Sequence, residues 1–258
     1  MANTKWVCGW GTAIDTTTQT ITDYIEDITF RYVIYPTMPA SAVKLHFSNL
    51  YGTEPITVDK VYVAKRSAGK EAVPGSTVEI LFEGKTGFTL APGAECTSDA
   101  AFIELAPAEE YFVSLYIKEK TQLRCGHWNS GHYITKYYSQ GDYAGADDIP
   151  WLTVGDGGPY VFLHSIDYLT REDLSLTEGE NRAFLNSYSM SYPKEDRAEI
   201  FAAAMDPDAG YLFTSPILQE KLIRICKGIR DAFGLKKDTR AFPWEQHLEK
   251  SLAYVKKK

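Results

Sequence analysis

The chain has 258 residues, 44% of them hydrophobic and 24% charged, with a formal net charge of -7. That composition excludes collagen-like, low-complexity and disordered classes and is enough for one large core or two modest ones. Residues 1–170 hold 12 basic against 20 acidic side chains and residues 171–258 hold 15 against 14, so neither part concentrates the positive charge that a nucleic-acid backbone attracts.

The opening residues, Met1 to Cys8, lack the apolar stretch of a secretory signal, and no run of about 18 apolar residues occurs that could span a bilayer. A cytoplasmic chain with no membrane contact is expected. Cys8, Cys96, Cys125 and Cys226 are scattered without a C-x-x-C pair, which predicts small buried thiols rather than a disulfide frame or a thiolate zinc site.

Up to about residue 170 the apolar side chains recur with a period of two. Val43, Leu45 and Phe47 alternate with Lys44, His46 and Ser48; Val78, Ile80 and Phe82 follow, then Tyr111, Val113, Leu115 and Ile117. Such alternation predicts half-buried strands. Breaks at Tyr51-Gly52-Thr53, Val73-Pro74-Gly75-Ser76, Ala91-Pro92-Gly93 and Leu105-Ala106-Pro107 come at short intervals, the rhythm of an antiparallel sandwich rather than of βαβ units. Between Ile56 and Ala64 the apolar phase moves from Ile56 and Val58 to Val61 and Val63, which predicts a bulge near Asp59-Lys60. Residues 119–159 are irregular and rich in Gly, Asp and aromatics, and read as a rim of the sandwich. Tyr160 to Leu169 supplies a last strand.

After Thr170 the period becomes 3.6. Ala198, Phe201, Ala202 and Met205 make one helical stripe, and Leu218, Leu222, Ile225 and Ile229 make another. Ser215 and Pro216 suit the start of the second helix and Gly234 its end. A last helix is predicted from Pro243 to about Val255. The predicted class is α+β: an antiparallel, jelly-roll-like β-sandwich over residues 1–170, then a small all-helical segment over 171–258.

The order of segments from Phe30-Arg31-Tyr32 through Lys44-Leu45-His46-Phe47-Ser48-Asn49-Leu50-Tyr51-Gly52 to Val73-Pro74-Gly75-Ser76, Pro92-Gly93 and Thr97-Ser98-Asp99 resembles the β domain that precedes the catalytic domain in a subset of GDSL-type (SGNH) acylhydrolases. The resemblance covers residues ~6–169, and Tyr160 to Asp167 looks like the strand leading into that family's nucleophile segment. The nucleophile itself is missing. Gly141-Asp142 is followed by Tyr143 and Gly155-Asp156 by Gly157, so Gly-Asp-Ser does not occur. Gly-x-Asn-Asp is also absent, and no His stands three residues after an Asp. Ester hydrolysis needs an activated hydroxyl, a base and oxyanion donors, and the sequence assigns none of them.

Asn186 to Phe201 resembles the helix that supplies the third zinc ligand in some gluzincin metallopeptidases, and the likeness covers residues ~180–245. The resemblance implies Glu195 as a metal ligand. Glu195 stands three and seven positions before Ala198 and Ala202, so it is predicted to point with the apolar stripe. The partner motif His-Glu-x-x-His is absent, which leaves Glu195 an orphan candidate.

Cys125, His127 and His132 lie on a turn-rich segment with nonspecific spacing, and Asp147, Asp148 and Asp156 lack an EF-hand arrangement. Both groups read as ordinary loop residues. Among Trp6, Trp10, Trp128, Tyr133, Tyr137, Tyr138, Tyr143 and Trp151, the irregular region holds Trp128, Tyr143 and Trp151, which stand as the candidate ligand-binding residues. Arg31, Asn49 and Asp99 read as structural hydrogen-bonding residues. The expected function is a non-catalytic accessory module that binds a carbohydrate or acylated small molecule and is fused to an incomplete peptidase-like tail. The alternatives are a hydrolase whose site is unrecognised or completed by another chain, or a join of two gene pieces. No cofactor is expected, zinc being the one candidate, and the helical tail offers a surface to a protein partner.

Overall fold

The structure is a computed structural model and describes residues 4–12, 14, 24–107, 109–127, 136–150, 153–154, 160–171, 183–185, 193–235 and 240–248. The chain runs through β1 (Thr4–Gly11), β2 (Tyr24–Ile25), β3 (Ile28–Ile34), β4 (Ala40–Ser48), β5 (Ile56–Val58), β6 (Lys60–Ala68), β7 (Glu71–Ala72), β8 (Val78–Glu79), β9 (Leu81–Phe82) and β10 (Lys85–Thr86). It continues through β11 (Phe88–Leu90), β12 (Glu95–Thr97), β13 (Ala101–Leu105), β14 (Tyr111–Ile117), β15 (Thr121–Gln122), β16 (Gly126–His127), β17 (Lys136–Gln140), β18 (Thr153–Val154), β19 (Tyr160–Val161) and β20 (Leu163–Arg171). Helices α1 (Pro193–Met205) and α2 (Pro216–Ala232) follow, with 3-10 turns at Pro207–Thr214 and Pro243–Leu248. Among the described residues no helix is long and apolar enough to cross a membrane.

Two antiparallel sheets dominate. One has the order β1-β20-β4-β12 with β13 also on β4, the other β18-β17-β3-β14-β6-β7 with β8 also on β6. The period-two pattern decides which side chains meet between them. Val43, Leu45 and Phe47 of β4 and Ile166 and Tyr168 of β20 share one core with Phe30, Tyr32 and Ile34 of β3 and Val113 and Leu115 of β14. Each such side chain contributes about 1.5–3 kcal/mol through burial, so this core is the main support of the sandwich.

The predicted bulge at Asp59-Lys60 is instead a change of partner. β5 pairs with β11, whereas β6 pairs with β14. Asp59 marks the corner: its amide donates to Tyr116 O and its carboxylate accepts from Lys118 N. Both phases of the apolar pattern can therefore face inward, because they belong to separate ladders.

On the outer side of the second sheet Arg31 is fully buried. Its guanidinium donates to the carbonyls of Lys70 (2.7 Å), Tyr143 (3.4 Å), Ala146 (2.5 Å) and Asp147 (3.2 Å) and to Ser114 Oγ (3.1 Å). Burial depresses its pKa to about 10, against the pull of Asp148 and Asp147. Asn49 likewise donates to the carbonyls of Glu54, Leu90 and Ala91, and Asp99 accepts from the amides of Glu83 and Gly84. All three do the structural work their positions implied.

The buried face of α1 carries Asp196, Ile200 and Ala204, while Ala198, Ala202 and Met205 are exposed. This corrects the predicted stripe. The face that packs is the one holding Asp196, because its carboxylate meets Lys221 of α2 at 2.8 Å. On α2, Leu218 and Leu222 are buried as expected, Ile225 and Ile229 are half-buried, and Lys221, Cys226 and Arg230 share the covered side. Ser215 and Pro216 stand at its start and Gly234 takes φ +70° just past its end, although the Ser215 hydroxyl makes no capping bond. The last predicted helix is a short 3-10 turn at Pro243–Leu248, and residues 249–255 lie outside the described ones.

The tail rests on the sandwich. Ala183 and Phe184 belong to the main core and Ile217 packs against it, Arg224 pairs with Glu109 at 2.9 Å, and the Arg197 guanidinium lies 5.8 Å over the Tyr35 ring.

Candidate functional site

Three devices in the chain shape the outer face of the first sheet. The first is a bulge in β1 between Cys8 and Trp10. Strict alternation would send Trp6, Cys8 and Trp10 the same way. The extra residue, Gly9, reverses the phase, so Trp10 turns inward and meets Tyr160 edge-on at 5.0 Å. A side chain at position 9 would collide with the Tyr168 ring, 1.9 Å from the place of its Cβ.

The second device is Phe162, which takes φ +63° while fully buried. Left-handed backbone is strained for a bulky residue. Here it carries the chain from β19, paired with β16, into β20, paired with β4 and β1. The third is an irregularity between Leu163 and Ser165 in the β20–β4 register, which leaves His164 and Ser165 both half-buried.

Register then fixes what lies side by side. Phe102 of β13 stands opposite Ala42 of β4, Ala42 opposite Leu169 of β20, and Leu169 opposite Trp6 of β1. This row crosses four strands, about 14 Å at the usual strand spacing. Its ends are open, Phe102 being 76% and Trp6 36% exposed, whereas Ala42 between them is fully buried and Leu169 half-buried. The next row is Lys44, Asp167 and Cys8, and the one after is Thr97, His46 and Ser165. An apolar strip with aromatic ends thus lies beside two polar rows.

The polar rows are interlinked. Thr97 Oγ1 is 2.9 Å from His46 Nδ1, and His46 Nε2 is 3.0 Å from Asp167 Oδ2. The second contact lies off the line of a hydrogen bond, since Nε2 is buried without an aligned acceptor. The His164 ring sits 5.8 Å from that of His46, with Ser165 Oγ 3.2 Å from its Nδ1. Burial holds the His164 pKa below the usual imidazole value; Glu95 opposes this and His46 adds to it. Lys44 Nζ lies 4.8 Å over the Trp6 ring, a cation–π contact that fixes the indole from one side. Cys8 is exposed on the edge strand, which corrects its reading as a buried thiol. Burial and the charge of Asp167 push its pKa up, so it stays a protonated thiol. Cys96 is half-buried, Cys125 and Cys226 are buried, and all four are unbridged.

Of the candidate binding residues singled out from the sequence, Tyr143 falls elsewhere. Tyr143 is half-buried against Phe112, Tyr137 and Ile149 on the outer side of the second sheet, its amide donating to Thr29 Oγ1. Trp128, Tyr133 and Trp151 lie outside the described residues, as do His132 and Asp156. Asp148 takes Lys70 at 2.5 Å and the amide of Ile149. Glu195 is in the first turn of α1, its side chain outside those described. Among the described residues no group of three or more His, Cys, Asp or Glu is placed to hold a metal ion.

What sequence reasoning missed is the row from Phe102 to Trp6 and the meeting of His46 with Asp167. The alternation already turned Lys44 and His46 outward. The signal it lacked was register, which joins residues far apart in the sequence, such as Leu169 with Trp6 and Ala42. Neither a scan against models of known protein families nor a search of curated proteins returns a significant match for this chain.

Proposed function

We propose that the chain is a non-catalytic binding module for a carbohydrate or an acylated small molecule, with the outer face of the β1-β20-β4-β12/β13 sheet as its binding surface. The observation that carries this reading is the apolar row Phe102, Ala42, Leu169 and Trp6 lying beside polar rows that hold Lys44, Asp167, His46 and Thr97. A pyranose has an apolar face for aromatic rings and hydroxyls for hydrogen bonding, and an acyl group needs the apolar row alone. Kinship with the front domain of acylhydrolases rests on the sequence resemblance. Titration with an oligosaccharide and acylated-glycan panel tests the proposal, with Trp6→Ala and Phe102→Ala together expected to weaken binding by roughly 5- to 150-fold.

One observation favours a hydrolase as a second reading: Thr97, His46 and Asp167 form a hydroxyl, imidazole and carboxylate series. Such a series serves nucleophilic catalysis only with oxyanion donors beside the hydroxyl, and Thr97 lies in a ladder with β4. Short acyl esters should be turned over no faster than by heat-denatured protein. Turnover that disappears in Thr97→Ala or His46→Ala would establish the hydrolase reading instead.

A further inference from the structure

Two imidazoles meet on the outer face of the first sheet. His46 lies on β4 and His164 at the irregular start of β20, their ring centres 5.8 Å apart and their planes tilted by 52°. Solvent reaches both, the His46 side chain being 22% exposed and His164 half-buried. The charged groups around them come from three strands: Lys44 from β4, Glu95 from β12 and Asp167 from β20. Cys8 of β1 stands opposite Asp167 as a neutral thiol.

The His46 ring is placed between a carboxylate and a hydroxyl. Asp167 Oδ2, 3.0 Å from Nε2, favours the tautomer with its hydrogen there. Nδ1 then accepts from Thr97 Oγ1 at 2.9 Å. When the ring takes a second proton, Nδ1 becomes a donor and the Thr97 hydroxyl turns to accept from it. No hydrogen bond is lost, and the hydroxyl hydrogen is released for a ligand oxygen. His164 likewise has a hydroxyl at Nδ1, Ser165 Oγ at 3.2 Å.

The protons on these two rings set the sign of the face. Imidazole is the side chain that gains its charge between pH 8 and 5. With both rings neutral, Lys44 stands as one cation against the two carboxylates of Asp167 and Glu95. With both protonated, three cations stand against the same two. Burial delays the His164 proton below the usual imidazole value, with His46 adding to the delay and Glu95 opposing it. The reversal is therefore completed on the acid side of about pH 6.5.

We infer that the outer face is an acid-dependent surface for an acidic sugar chain, held below neutral pH by the imidazoliums of His46 and His164 with Lys44 and released near neutrality. The inference rests on the reading of this face as a binding surface and adds the class of ligand and its control. The aromatic ends meet pyranose faces, and the carboxylates of the chain, which only accept hydrogen bonds, meet the charged rings and the freed Thr97 hydroxyl.

The test is calorimetric titration of the full chain at low salt, from pH 7.5 to 5, with trigalacturonate and with neutral galactotriose. The carboxylates of trigalacturonate stay ionised over that range. One imidazolium about 7 Å from a carboxylate in water-like surroundings strengthens binding about 3-fold. Trigalacturonate should thus bind roughly 3- to 9-fold more tightly at pH 5 than at pH 7.5, and galactotriose should change by less than about 2-fold. The gain should disappear in His46→Gln with His164→Gln and persist in His247→Gln on the tail. Should the double variant fail to fold, NMR titration of the unmodified chain decides: by linkage, saturating trigalacturonate should move the His164 midpoint up by roughly 0.5. An unmoved midpoint, equal affinity for trigalacturonate at both pH values, or the same gain for galactotriose overturns the inference. The reading of the face itself fails separately, when binding of either trimer survives Trp6→Ala with Phe102→Ala.

Discussion

In the sandwich, buried positive charge rests on neutral groups: Arg31 on backbone carbonyls and Lys136 on aromatic rings. In the helical tail it rests on carboxylates. Lys221 meets Asp196 at 2.8 Å, and Arg230 meets both oxygens of Glu245 at 2.5 and 2.6 Å. The difference follows from core size. The sandwich core draws on both sheets, with rings such as Phe47, Tyr111 and Tyr168. Among the described residues the tail has Ile200, Ala204, Phe213, Leu218, Leu222, Cys226 and Leu248 at its centre, and ion pairs with directed hydrogen bonds fix its geometry where apolar packing is thin. Carbonyls do not titrate and carboxylates do, so the two regions should answer differently to charge removal.

The largest expected effect is in the tail. Glu245→Ala leaves the Arg230 guanidinium buried without its carboxylate and also frees the Phe242 amide that bonds Glu245. A loss of about 3–5 kcal/mol is expected. Circular dichroism should show helical signal melting before the β signal. A single unchanged transition would break the comparison.

Lys136→Met should act in the opposite direction. The folded pKa of Lys136, about 8, lies below the ordinary lysine value of about 10.5 because of burial, so the fold prefers the neutral amine. Protonation therefore penalises the fold below about pH 8, and the penalty fades as pH rises from 8 to about 10.5. A shift of roughly 2.5 units corresponds to about 3 kcal/mol. Urea midpoints should show a gain of that order for Lys136→Met at pH 7 and almost none above pH 10.5.

Smaller effects sharpen the picture. His164 has a lowered folded pKa, so its contribution is complete above the unfolded imidazole value of about 6.5 and declines as pH falls below it. His164→Gln should flatten that acid-side slope in thermal melts between pH 7 and 5. Glu195→Gln should change stability by less than about 1 kcal/mol, the range of a helix-end charge. One tightly held zinc per chain, lost with that substitution, would instead revive the peptidase reading.

The fold was legible wherever one face of a strand is apolar and the other polar. Val43, Leu45 and Phe47 point inward as their alternation demands. The shift from Ile56 and Val58 to Val61 and Val63 was seen as well, but period alone cannot tell a bulge from a change of ladder. The α1 stripe was misjudged because alanines at 198 and 202 look like packing residues, while the covered side is chosen by Asp196 reaching Lys221. The outer face was half legible. Lys44 and His46 pointed to it, but Gly9, which separates Trp6 from Trp10 across the sheet, acts through a close approach to Tyr168 that no local pattern reveals.

The central claim is that the first sheet presents a binding face, and calorimetric titration with oligosaccharides and acylated glycans tests it most directly. Two aromatic contacts at about 0.5–1.5 kcal/mol each predict that Trp6→Ala with Phe102→Ala weakens binding by roughly 5- to 150-fold while leaving the melting curve almost unchanged. Binding that survives this double substitution, or that is lost only in Trp128→Ala with Trp151→Ala, would contradict the account.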